Sequence, residues 1–123
     1  MSNFTPIYTG VFLPQANYHI TYHFNPTSPT FPNNSIIEAT KAKIAIVGEY
    51  EDSQVRCYIC EIHLKSGIVL KTQKDSDRLL HITVWTAKGV KPVQSGINAT
   101  NHQDKIKKIP TIYLIGYWRT FYN

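Results

Sequence analysis

Two histidines carry the chemistry that this sequence most plainly offers. Tyr18-His19-Ile20-Thr21-Tyr22 returns far downstream as Leu80-His81-Ile82-Thr83-Val84. With 5 His in the chain, a pair of H-x-T matches arises by chance in about one shuffled sequence in twelve. Requiring Ile in the middle both times lowers that to a few in a thousand. In a strand, residues i and i+2 share a face, so His19 and Thr21 project together, as do His81 and Thr83, while Ile20 and Ile82 point into a core. Were the two pairs to face one cleft, they would suit phosphodiester chemistry without a metal. One neutral imidazole would take a proton from the attacking hydroxyl, and the other, as imidazolium, would protonate the leaving oxygen. The threonine hydroxyls would donate to the non-bridging oxygens as charge builds there. Histidine fits both tasks because its ordinary pKa of about 6.5 lies near working pH.

The elements that must position these residues are strands. Ile, Thr, Tyr and Val are plentiful and evenly spread, which leans the chain to β structure. Patterning predicts strands over 7–13, 18–25, 43–50, 55–64, 80–86 and 111–122. Pro26, Pro29 and Pro32 make 25–34 an extended loop. Turns are expected at 51–53 and 65–67, and a short helix after Ser35, capped by Ser35 with Glu38 three residues on. A second helix is expected within 95–108. The class is α+β, dominated by strands, and the duplicated motif suggests two related halves.

At 123 residues and a formal charge of +5, the chain has room for one domain, 1–123, and none for a Rossmann enzyme, a TIM barrel or a kinase. A pI near 9.3 favours an anionic partner. No apolar run approaches the roughly 18 residues of a membrane span, and residues 1–13 lack a basic start followed by a long apolar stretch. The expectation is therefore a cytoplasmic protein, monomeric and without membrane contact. Cys57 and Cys60, with His63, form C-x-x-C-x-x-H. On a strand that spacing splits the thiols between faces, so buried free thiols are expected rather than a redox or zinc site.

The paired motifs resemble those of the 2H (LigT-like) phosphoesterases, whose hallmark is His-hydrophobic-Thr/Ser-hydrophobic on two strands. His19 and Thr21 match the first motif, His81 and Thr83 the second. The opening Tyr8-Thr9-Gly10-Val11-Phe12-Leu13 looks like the first strand of that family. The segment Gly89-Val90-Lys91-Pro92-Val93-Gln94-Ser95 looks like a branch near RNA-repair-associated domains. The resemblance implies a bilobal fold, with two pseudo-symmetric antiparallel β lobes and few short helices around a central cleft. It implies hydrolysis of 2′,3′-cyclic phosphates, 2′-5′ linkages or cyclic nucleotides with no metal and no cofactor. The substrate would be a nucleotide or a cyclic dinucleotide such as an immune second messenger, or an RNA end. Small viral relatives degrade nucleotide messengers, and the Ile-, Lys-, Asn- and Tyr-heavy composition is compatible with an AT-rich genome such as that of a large DNA virus. Two departures stand out: only residues 14–17 lead to His19, where many relatives have a helix, and the chain is shorter than most members.

Around the four catalytic candidates stand five candidate substrate contacts. His23 shares parity with His19 and Thr21, which makes it a cleft contact or a rim residue. Trp85 shares parity with His81 and Thr83 and is a base-stacking platform or core. Lys91 and Ser95 follow the second motif within reach of a phosphate. Tyr8 is a ligand contact or a core residue. The competing function is a nucleotide- or RNA-binding β module that cuts nothing.

Overall fold

The computed structural model describes residues 6–15, 18–24, 31–33 and 35–122. Its strands are β1 (Pro6–Leu13), β2 (Tyr18–Phe24), β3 (Lys41–Glu51), β4 (Val55–His63), β5 (Val69–Leu70), β6 (His81–Thr86) and β7 (Lys107–Tyr122). One helix, α1 (Val93–Asn101), and a 3-10 turn at Gln103–Lys105 lie between β6 and β7. The α+β, strand-dominant reading holds. All seven strands join one antiparallel sheet in the order β2-β1-β7-β3-β4, with β5 and β6 both hydrogen-bonded to β4. Followed through β6, that order puts three strands on each side of the β7–β3 seam. A motif strand lies at each edge, and the sheet curls until β2 and β6 come together. The backbone N–H of Lys74, ahead of β6, donates to the carbonyl of Tyr22 on β2 across 2.8 Å and ties the edges.

Alternation makes the interior. Val11, Leu13, Ile20, Ile44, Ile62, Leu80, Ile82 and Trp118 form the main core, with Ile20 at 0% and Ile82 at 1% exposure. The middle residue of each motif is thus buried, as period-2 spacing requires. A smaller core of Tyr50, Val55, Cys57, Ile59 and Ala99 lies under α1. Asp52 organises its edge: one carboxylate oxygen accepts the N–H groups of Gln54 and Val55, the other the Tyr50 hydroxyl at 2.7 Å and the Asn98 amide at 3.0 Å. The turn at 51–53 therefore also anchors α1. Burial and then the Asp52 carboxylate push the Tyr50 hydroxyl up to about 12.

Several expectations need correction. No helix follows Ser35. Ile36 is drawn into the core, Ala39 takes φ 70°, and the segment closes in turns from Ile36 to Asn33 and from Thr40 to Ile37. Glu38 instead accepts the N–H of Thr120 at 2.8 Å. The strand β7 begins at Lys107, ahead of the expected 111, and the two-residue β5 has no sequence signal of its own. Most of the proline-rich stretch 25–34 lies outside the described residues. Among them, no helix is long and apolar enough to cross a membrane.

Candidate active site

Both motifs open onto one cleft of about 260 Å³. His19, Thr21, His81 and Thr83 line it together with Tyr8, Phe24, Gln73, Arg78, Pro92 and Val93. The four catalytic candidates and Tyr8 are thus brought together by β2, β6 and β1. Arg78, Gln73, Phe24, Pro92 and Val93 had no signal in the spacing of the motifs. Arg78 and Gln73 come from the loop ahead of β6, where local pattern says nothing about which cleft a side chain meets.

His81 is held from two sides. Its Nδ1 lies 2.9 Å from the carbonyl oxygen of Leu79; a carbonyl only accepts, so Nδ1 carries the proton and Nε2 keeps its lone pair in the neutral ring. Beneath it runs α1, where a Cβ on Gly96 would collide with the ring's Cε1 and sit 3.0 Å from Nδ1. Burial lowers the pKa of His81 most. The Leu79 carbonyl opposes that shift, while the Arg78 guanidinium and His19 add to it. The His19 contribution fits two rings lining one cleft.

His19 is held by rings instead. Tyr8 stacks on it at 5.2 Å between centroids, Phe121 stacks on Tyr8 at 4.4 Å, and Phe121 also meets His19 at 5.5 Å. Burial lowers the His19 pKa and raises that of Tyr8, the latter against the pull of Arg119. Arg119 lies 5.4 Å over each of the rings of Phe12 and Phe121, a cation beside the aromatic stack.

Thr83 is positioned from α1. Its hydroxyl lies 2.7 Å from that of Ser95, which donates to the Pro92 carbonyl at 2.8 Å. Ser95 is fully buried and does not line the cleft. It meets Thr83 from the helix side and stays off the cleft where a ligand contact was expected. Lys91 is exposed ahead of the helix and stays off the lining, which Pro92 and Val93 supply instead.

Two bulges redirect the remaining candidates. On β2, Thr21 pairs with Gly10 and His23 with Thr9, which leaves Tyr22 without a partner in the register. That extra residue puts Phe24 on the face of His19 and turns His23 away. There the Nδ1 of His23 is buried without a hydrogen-bond partner. On β6, Thr83 pairs with Cys57 and Trp85 with Arg56, so Val84 is the extra residue. Trp85 accordingly lies on the Arg56 face, 48% exposed, and off the cleft lining. Each motif thus has its bulge one residue after the threonine.

The C-x-x-C pair is split between interiors. Cys57 lies in the core beneath α1 and Cys60 in the main core. Burial pushes the Cys57 thiol up to about 12 and Cys60 upward as well, which suppresses thiolate chemistry at either. Among the described residues, no three His, Cys, Asp or Glu side chains are grouped to hold a metal ion. Comparison of the chain with family models, curated proteins and solved structures gives no match.

Proposed function

We propose that this chain is a phosphodiesterase of the 2H type, hydrolysing a cyclic or 2′-linked nucleotide phosphodiester by two-histidine acid–base catalysis without a metal. The observation that carries the reading is the convergence of His19, Thr21, His81 and Thr83 with Arg78 on one cleft. Supporting it are the three strands on each side of the seam with a motif strand at each edge and the matching bulge after each motif. Both are what a bilobal, pseudo-symmetric ancestry would leave.

His81, its Nδ1 proton engaged by Leu79 and its neutral form favoured by burial and then by Arg78, takes the proton of the attacking water at Nε2. As the water oxygen bonds to phosphorus, the ester P–O bond breaks, and the leaving oxygen receives the proton of a His19 imidazolium. The π-face of Tyr8 stabilises that charged ring, and the bound phosphate offsets the lowering by burial. Arg78 neutralises the non-bridging oxygens and Thr21 donates to them as charge develops, while Thr83 joins by turning its single hydroxyl proton from Ser95 to the phosphate. The products are a phosphomonoester and a free hydroxyl, and proton return between the rings resets the site. A cleft of about 260 Å³ encloses the phosphate and its ribose, with the base at the mouth beside Tyr8 and Phe24.

The test is turnover of 2′,3′-cyclic mononucleotides, 2′-5′ oligoadenylate and cyclic dinucleotides in EDTA. Hydrolysis of at least one is expected, lost in His19→Ala and in His81→Ala. Activity surviving either substitution, or binding with no product from any substrate, would overturn the mechanism; the second result would favour the binding module.

A further inference from the structure

A second cavity, of about 550 Å³, opens elsewhere on the molecule and shares no lining residue with the histidine cleft. Lys41 and Lys43 on β3 and Lys65 in the turn after β4 line it, over a floor that includes Ile36, Ile115 and Trp118. No carboxylate is among the described residues that line it. Among the described residues these lysines also form no ion pair; Lys43 lies 4.6 Å over the Tyr113 ring. Three lysines and no carboxylate among the described lining residues give the concavity a positive potential that an anion would neutralise. The apolar floor asks for more than a bare anion, because it would bury the face of a ring or sugar. The volume falls within the roughly 300 to 1,000 Å³ of small-ligand sites, unlike the narrower histidine cleft.

We infer that this cavity is a second, independent binding site for a nucleoside di- or triphosphate, with phosphates on Lys41, Lys43 and Lys65 and the nucleoside against the apolar floor.

The experiment is calorimetric titration of the whole chain at low salt with ADP, adenosine and tripolyphosphate. ADP should bind the wild type and a His19→Ala/His81→Ala variant equally. A Lys41→Ala/Lys43→Ala/Lys65→Ala variant should bind it at least 10-fold more weakly, and the corresponding triple Lys→Arg variant should retain binding. Adenosine and tripolyphosphate should each bind at least 10-fold more weakly than ADP. The proposal is overturned if ADP does not bind, if the triple alanine variant binds it as tightly as the wild type, or if the histidine variant abolishes binding. Tripolyphosphate binding as tightly as ADP would overturn the nucleoside part. Because the lysine chains are exposed, the variants should melt as wild type does. Should the alanine variant fail to fold, the ADP, adenosine and tripolyphosphate comparison on the His19→Ala/His81→Ala variant decides alone.

Discussion

Gly96 lies in the middle of α1, where glycine costs a helix about 1 kcal/mol relative to alanine. It is kept there by the His81 ring, which occupies the space a Cβ would need. Gly96→Ala should therefore improve helix propensity and still damage the site. The expectation is a fall in kcat of at least 10-fold with KM changed less, in a protein that remains folded by circular dichroism. Loss of Ser95's hydroxyl in Ser95→Ala should act similarly on Thr83 but more mildly, since it frees a rotor rather than displacing a ring. The histidines also set a pH dependence of stability. Both have folded-state pKa values below the ordinary one, so the unfolded chain binds the extra protons. Their stabilisation is complete above about 6.5 and is lost as pH falls below it towards the folded values. Thermal melts from pH 8 to pH 5 should show a falling Tm over that window, and His81→Gln should flatten the fall. Burial pushes the Asp52 carboxyl up, but the Tyr50, Gln54, Val55 and Asn98 hydrogen bonds together outweigh it and hold the group below its ordinary value, so its own loss comes only in the carboxylate range.

At the scale of the elements, the sequence was legible up to the bulges. Period-2 spacing placed His19 with Thr21, His81 with Thr83, and Ile20 and Ile82 in the core, and the register bears each of these out. The same parity carried two residues further fails on both strands, because Tyr22 and Val84 each insert a residue. A bulge has no sequence signal comparable to alternation; it depends on the partner strand and its twist. Gly10, opposite Thr21, shows that dependence, since a Cβ there would run into the carbonyl oxygen of Ile20. Gly10→Ala should force β2 away from β1 and destabilise by about 1–3 kcal/mol, measured by urea denaturation, with cleavage falling alongside. An unchanged midpoint would show that β2 does not pass so close at this bulge. Arg78 could not be placed from the chain for a related reason: it lies in an irregular loop whose path is fixed by long-range contacts, among them the Lys74–Tyr22 hydrogen bond.

At the scale of the molecule, the site exists because the sheet curls. Strand β2 and strand β6 are its two edges, and the main core that bends the sheet is centred on fully buried side chains such as Trp118. Tyr22 and Phe31 meet Trp118 edge-on at 5.6 and 5.9 Å. Trp118→Ala should cost about 3–5 kcal/mol and abolish activity through the edges parting, although Trp118 does not line the histidine cleft. The central claim is that two histidines from opposite edges meet one phosphate. The most direct measurement is nitrogen-15 NMR of the imidazole rings during titration with 2′-AMP, a product-like monophosphate, with ring signals assigned by His19→Ala and His81→Ala. The account predicts that both rings shift together with one dissociation constant and that both pKa values rise on binding. A shift confined to one ring, or to neither while the nucleotide binds, would contradict it.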